Sequence, residues 1–476
     1  MITRCILVSV LVLTAMTASA THLRIQHVRA VYRPDVTPDR PSVLFDIRWE
    51  NAWHNERNHD AVWIFLKFNG YYNNHVKLQS DGHRVVKNRM TGMPEPLIEV
   101  SDDGLGLFVY PGDNYRGPVD VKLELLLDTG QSIDWRQVRD DFQVYGIEMV
   151  YIPEGAFSLG SPDTAAVKKA ALYRSDDSGQ PDGLYRVTSE AAIPVGPETG
   201  NLYYWSKTDL YNGDRQGPIP ATFPKGYRYF YIMKYELSQG QYADFLNTLP
   251  DNATYERSPI GGRGYYKKRG GIRLKDGKYL ADNPDRPMNY VSFTDGLAFA
   301  DWAALRPITE LEYEKAARGP SEPIPGEFVW GTDNYDLLER YVDPDAELIM
   351  ANGWEESRLT DETRPVFGAS YYWVMDLSGS VWEKVITVGN PIGRQFAGSH
   401  GNGQLDGFGK ADNPDWPTSD DELGGFGYRG GGYYEVGLNY SDFNPHSPIG
   451  YRYYGAWSGG PRYISYGFRA GRTAGN

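Results

Sequence analysis

Over the first third of the chain, polar and apolar residues alternate in short runs. His22 to Val28, Val43 to Trp49, Ala61 to Phe68 and Val119 to Leu125 each place apolar side chains at every second position. Proline, glycine, asparagine and aspartate separate these runs. Period-two runs bounded by turn residues predict antiparallel strands, and their number and length suit an all-β sandwich of Ig-like size. A strand is predicted at Ile147 to Pro153. Residues 162–222 are rich in Asp, Ser, Gly, Pro and Tyr with weak periodicity, which leaves a long ordered excursion or a flexible loop. Tyr227 to Tyr235 predicts another strand. Apolar residues at helical spacing behind an N-cap serine predict a helix over Ser238 to Leu246, and Phe293 to Trp302 predicts a second. Thr309 and Glu312 stand at capping-box spacing and open a third. Beyond it glycine, asparagine, proline and aromatics dominate and no helical period returns.

The chain has 476 residues, too many for a single ordinary core, and the patterning divides it near residue 146. The expected organisation is a signal peptide at 1–20, a β-sandwich domain at 21–146 and an α+β domain at 147–476. With 53 glycines and 36 tyrosines the composition favours strands and turns over helices. The formal charge of -14 argues against a nucleic-acid partner, which needs a basic face. Arg4, the apolar run Ile6 to Leu13 and Ala18-Ser19-Ala20 have the layout of a cleavable secretory signal. That apolar run is too short to cross a bilayer, and no second one suggests a transmembrane segment. The sole cysteine, Cys5, would leave with the signal, so the mature chain is expected to contain no thiol. A secreted, periplasmic or cell-surface protein is the expectation.

Several groups of residues could carry chemistry. Within Phe367 to Lys384, Asp376, Gly379 and Glu383 suit an oxygen cage for a hard cation, and equally a strand-turn-strand core in which Glu383 pairs with an Arg or Lys. His54 and His59 are expected to be solvated loop side chains, with no third ligand at metal spacing. The glycine-rich segments at Gly261 and Arg269 lack a phosphate-loop lysine. No Ser-His-Asp arrangement can be assembled, and His400 is expected in a turn. Nine tyrosines lie between Phe426 and Phe468, together with Trp457. Such a segment supplies either a rigid aromatic binding face or core packing.

Seven segments, in order, resemble the formylglycine-generating enzyme (sulfatase-modifying factor) family. They are Met149 to Phe157, Tyr235 to Tyr242, Arg306 to Gly319, Trp330-Gly331, Met375 to Glu383, Arg429 to Gly432, and Gly467-Phe468-Arg469. The resemblance implies a C-type-lectin-like fold for the second domain. It also implies structural Ca²⁺ held by Asp376, the carbonyls of Gly379 and Val381, and Glu383, with a second site at Asn352, Gly353 and Asp361.

Oxidising members of that family convert a cysteine to formylglycine with a cysteine pair and copper. Here the two cysteine positions fall on about Glu435 and Tyr440, and the serine of the preceding motif is Gly432. Copper(I) requires soft thiolate ligands, so no copper is expected. The resulting expectation is a non-catalytic binding or structural protein. Its ligand, a surface protein or glycan, would meet Tyr433, Tyr434, Glu435, Tyr440, Tyr453, Tyr454 and Trp457. The alternatives are an oxidase of the same family, or a self-assembling surface or filament subunit.

Overall fold

The computed structural model describes residues 23–31, 41–68, 75–128, 130, 142–206, 211–262, 264–267, 269–342, 348–350, 356–417, 424–432, 447–460 and 462–473. Nine strands build the N-terminal part: β1 (Arg24–Val31), β2 (Ser42–His54), β3 (Asp60–Phe68), β4 (His75–Val76), β5 (Arg84–Asn88), β6 (Leu97–Val100), β7 (Leu107–Tyr110), β8 (Tyr115–Leu126) and β9 (Phe142–Ile152). One sheet has the order β1-β2-β8-β5. Val43, Phe45, Ile47 and Trp49 on β2 and Val119, Val121, Leu123 and Leu125 on β8 are fully buried, the period-two face that the sequence shows. They share a core with Val62, Ile64 and Leu66 of β3 and with Leu107 and Val109 of β7, which lie in a second sheet.

That second sheet does not stop at the sandwich. After β9 the chain forms β10 (Phe157–Leu159), α1 (Thr164–Val167), β11 (Tyr173–Arg174), β12 (Tyr185–Val187), β13 (Leu202–Tyr203) and β14 (Phe230–Met233). It continues through α2 (Gln239–Leu246), α3 (Asp251–Arg257), the hairpin β15 (Ile272–Lys275) and β16 (Lys278–Ala281), α4 (Phe293–Trp302), β17 (Arg306–Pro307) and α5 (Glu310–Arg318). The last elements are β18 (Arg340–Val342), β19 (Leu348–Met350), β20 (Trp382–Ile386), α6 (Pro391–Arg394), β21 (Phe426–Arg429), β22 (Tyr466–Gly467) and β23 (Ala470–Thr473). The sheet runs β17-β23-β14-β9-β3-β7-β6, with β4 on β3. Strand β9 pairs with β3 from Phe142 to Val150 and with β14 from Met149 to Ile152. The division expected near residue 146 therefore falls inside one strand that serves both halves.

Side chains reinforce this junction. Trp63 Nε1 donates to Ala303 O at 2.9 Å, and Lys67 Nζ donates to Gly403 O at 2.6 Å. Lys234 of the C-terminal half is buried between Asp60 and Glu148, at 3.0 and 3.1 Å. Burial pushes the Glu148 carboxyl up to about 7, against the pull of Lys234.

Of the two readings of residues 162–222, the described part follows the ordered excursion: it holds α1, the pair β11-β13, strand β12 paired to β10, and buried Leu172, Tyr204 and Ile219. One expectation changes here. His54 and His59 are not solvated. They close a tight β2-β3 hairpin, and the His59 ring stacks on Tyr110 and Tyr151 at 4.1 and 4.9 Å. Burial holds His59 down at about 3, so its imidazole is neutral.

The capping box Thr309 with Glu312 and the N-cap Ser238 form as the sequence implies; Ser238 also closes a box with Gln241, and Ser292 with Asp295 adds one that the sequence reading did not name. Among the described residues no helix is long and apolar enough to cross a membrane.

Candidate functional site: the Asp376 to Glu383 turn and the aromatic face beside it

The turn from Trp373 to Ser380 is unusual in its backbone. Trp373, Asp376 and Ser380 take positive φ values of 65°, 63° and 62°, and Gly379 takes 92°. Each non-glycine residue in that region costs roughly 1 kcal/mol or more, so surrounding contacts must hold the turn. Met375 N donates to Lys234 O and Gly379 N to Gly430 O, both at 2.8 Å. Ser378 Oγ donates to Ser447 O at 2.9 Å, and Val381 N to Glu236 Oε1 at 3.1 Å.

Charge then collects behind the turn. Arg469 donates to Glu383 Oε1 through Nε at 2.8 Å, and to the carbonyls of Met233 and Met375 at 2.6 and 2.7 Å. Glu236 and Asp376 add further carboxylates beside this one guanidinium. Burial, then the charges of Asp376 and Glu383, push the Glu236 carboxyl well up; burial also pushes Glu383 up. Glu236 Oε2, Glu383 Oε2 and Ser380 Oγ are buried and have no hydrogen-bond partner. Glu383 thus forms the arginine pair that was one of the two readings of this segment, and the oxygens left beside it are those that could face a hard cation. No group of three or more His, Cys, Asp or Glu converges at metal spacing among the described residues, so such an ion would lean on backbone carbonyls.

Strand β20 leads out of the turn into the sheet β21-β20-β22. Half-buried aromatics cover this sheet. Tyr454 lies 4.9 Å from Tyr453, 5.5 Å from Trp457 and 6.0 Å from Trp382 between ring centroids. Tyr211 joins at 5.7 Å from Trp457, and Tyr428 links Trp457 to Tyr466 at 5.5 and 4.7 Å. The buried Lys384 ammonium sits below, 5.0 Å from the Tyr466 ring.

The floor is a buried ion network. Arg452 donates to Glu310 through Nε at 2.8 Å and Nη2 at 3.0 Å, and Arg429 reaches Glu310 and Glu314 at 3.1 and 2.8 Å. Despite burial, Arg452 and Arg429 hold the Glu310 carboxyl down at about 2. Gly432 is pinned close to the sheet. A Cβ there would stand 2.7 Å from Trp382 N and 3.0 Å from Ser465 O.

Asp376 and Gly379 thus lie in the turn, Val381 just after it and Glu383 on β20, and Tyr453, Tyr454 and Trp457 share one surface. Asn352, Gly353, Tyr433, Tyr434, Glu435 and Tyr440 lie outside the described residues. Asp361 is engaged elsewhere: its oxygens accept from Arg57 at 3.0 and 2.9 Å, and Oδ1 also from Trp373 Nε1 at 3.1 Å. Glu236, Glu310, Arg452 and Arg469 were not singled out from the sequence. The signal for Glu236 is a pair of charges, Lys234 and Glu236, directly after the buried strand β14.

The sulfatase-modifying factor enzyme 1-like domain profile matches residues 187–436. The chain is similar to formylglycine-generating enzymes of Mycobacterium tuberculosis (30% identity over 119 residues, 23% of this chain) and Thermomonospora curvata (30% over 109 residues, 22% of this chain). It is also similar to a hercynine oxygenase of Mycolicibacterium smegmatis, at 31% over 116 residues and 24% of either chain. The matches span only 36% and 35% of the two formylglycine-generating enzymes. The matched region contains Glu236, the Asp376 to Glu383 turn, Glu310 and Arg429, and on this ground the chain belongs to the sulfatase-modifying factor enzyme 1-like family.

Proposed function

We propose that this chain is a non-catalytic binding protein of the cell exterior, in which a family scaffold presents the aromatic face around Tyr453, Tyr454 and Trp457 to a protein or glycan. The observation that carries the proposal is the cysteine count. Cys5 is the sole cysteine, and the resemblance puts the family's oxidase pair at about Glu435 and Tyr440. Carboxylate and phenol do not replace two thiolates around copper(I); the residues present do not fit that cofactor. The tight seat of Gly432 supports the same reading, because the family's serine there would collide with Trp382. The Ig-like sandwich, the C-type-lectin-like fold of the second half and the cleaved signal belong to this proposal. The test is incubation of the purified protein with a sulfatase-motif peptide, copper and oxygen. No aldehyde is expected; aldehyde formation would establish the oxidase alternative that the names of its relatives suggest.

Ca²⁺ bound at Asp376, Glu383 and the carbonyls of Gly379 and Val381 is part of the proposal. It would neutralise the surplus carboxylates and stiffen the strained turn beneath the aromatic face. Asp361, already paired with Arg57, is left out of the proposal. Metal analysis should find bound calcium, and EGTA should lower the Tm by several degrees; a calcium-free protein indifferent to EGTA would refute this component.

A further inference from the structure

A cavity of about 610 Å³ is walled by β6 and β7 of the N-terminal half, by β14 and β23 of the C-terminal half, and by the segment from Ala221 to Tyr229. Its size suits a small molecule. Ionisable side chains are dense in its wall, yet the inner ones already have partners. Arg306 closes a two-bond pair with Glu312, at 2.9 and 2.5 Å, and Arg472 pairs with Asp103 at 2.6 Å. Glu190 accepts from the backbone N–H groups of Lys225, Tyr227 and Arg228 at 2.8, 2.9 and 3.0 Å. Glu99 accepts from the hydroxyls of Tyr231 and Tyr110 at 3.4 and 3.5 Å. Of the charged lining residues only Asp102 and Arg228 are exposed, and their signs are opposite.

Pairing does not exhaust these groups. A carboxylate oxygen can accept two hydrogen bonds. Asp103 Oδ2, Glu190 Oε2 and Glu312 Oε1 each accept one, from Arg472, Lys225 N and Arg306. His400 supplies the complementary donor. Its Nε2 accepts from Thr473 N at 3.0 Å, and burial, with the charges of Arg472 and Arg306, holds the imidazole neutral. A neutral ring that accepts at Nε2 carries its proton on Nδ1. That N–H has no partner among the described residues. Phe108, Tyr229 and Phe230 add ring surface. An acid would need an uncommitted cation inside this wall, and an amine an uncommitted carboxylate. A hydrocarbon would leave the spare lone pairs and the Nδ1–H unmet, at a cost. A neutral polyol offers each of them a hydroxyl, which both donates and accepts, and lays its C–H faces on the rings.

We propose that this cavity binds a neutral mono- or disaccharide, whose hydroxyls donate to Asp103, Glu190 and Glu312 and accept from His400 Nδ1. The cavity shares no lining residue with the aromatic face or with the Asp376 to Glu383 turn. Titration calorimetry of the whole chain with glucose, galactose, mannose, maltose, cellobiose and lactose tests it. At least one sugar should bind with a Kd of about 1 mM or tighter. Its affinity should not change with salt, because the ligand carries no charge. His400→Gln keeps an acceptor for Thr473 N in its amide oxygen but loses the Nδ1 donor, and should weaken binding about tenfold at unchanged Tm. Ala221 is exposed, so Ala221→Trp should fill the mouth without unfolding the chain and abolish binding. The double variant Tyr453→Ala, Tyr454→Ala should bind the sugar as wild type does. No heat with any of the six sugars at about twentyfold above that Kd would overturn the proposal. So would an affinity that falls with salt, or full retention in either cavity variant. Loss of binding in the tyrosine double variant would also overturn it, by placing the sugar on the aromatic face.

Discussion

His59 shows how one side chain ties the sandwich to pH. Its ring is sandwiched by Tyr110 and Tyr151, and burial holds it neutral down to about 3, from an ordinary 6.5. A group with a depressed basic pKa binds fewer protons folded than unfolded. Its stabilising neutral form is therefore fully present above about 6.5 and is lost as the pH falls toward 3. Between pH 7 and pH 5 the loss is about 2 kcal/mol. Glu148 and Asp244, raised to about 7 and 6, act oppositely in this window, since they favour protonation when folded. Comparing wild type with His59→Phe cancels their effect. Urea titrations at the two pH values should show His59→Phe less acid-sensitive by about 2 kcal/mol. At Glu310, replacement by Gln removes the carboxylate paired with buried Arg452 and one of the two paired with Arg429, and should cost about 3 to 5 kcal/mol in the same assay. Neither role was legible beforehand. A loop histidine and a helix-start glutamate look solvated until the chain shows what packs over them, and the partners of Glu310 lie 119 and 142 positions away.

Elements were more legible than residues because their signals are local. The N-cap Ser238 and the box Thr309 with Glu312 announce helix starts within four positions, and both form. Ser238→Ala should lower stability by about 1 kcal/mol, measured by chemical denaturation. The alternation in β2 and β8 likewise foretold strands with one buried face, whereas β3 is buried on both faces, Ala61, Trp63 and Phe65 in one core and Val62, Ile64 and Leu66 in the other, so its predicted alternation does not hold. What stayed hidden is the Asp376 to Glu383 turn's partner set. Glu236 and Arg469 reach it from segments far away in sequence, so spacing within the turn could suggest an oxygen cage but not the guanidinium that shares it. The Arg429 to Gly432 segment offers a sharper element-level test. Gly432→Ser restores the family's residue, yet its Cβ would press on Trp382 N and Ser465 O. A loss of about 1 to 3 kcal/mol is expected; an unchanged denaturation midpoint would show that β20 and β22 can part there.

At the scale of the molecule, β9 joins strands of the N-terminal and C-terminal halves in one sheet. It is hydrogen-bonded to β3 on one side and β14 on the other, while Lys234, Trp63 and Arg472 carry buried contacts across the same junction. Composition placed a boundary near residue 146 because the hydrophobic pattern changes there; pattern cannot reveal that a single strand belongs to both patterns. Denaturation followed by tryptophan fluorescence and by circular dichroism should give one coincident transition, and a fragment of residues 147–476 should not fold alone. Two separated transitions would contradict this. The central functional claim is that the Tyr453, Tyr454 and Trp457 face binds while no oxidase chemistry remains. Its most direct test is retention of purified protein on the native envelope fraction, comparing wild type with Tyr453→Ala, Tyr454→Ala combined, at matched Tm. The account predicts that the double variant loses retention by about tenfold or more; equal retention of the two proteins would show that these tyrosines pack the domain and do not bind a partner.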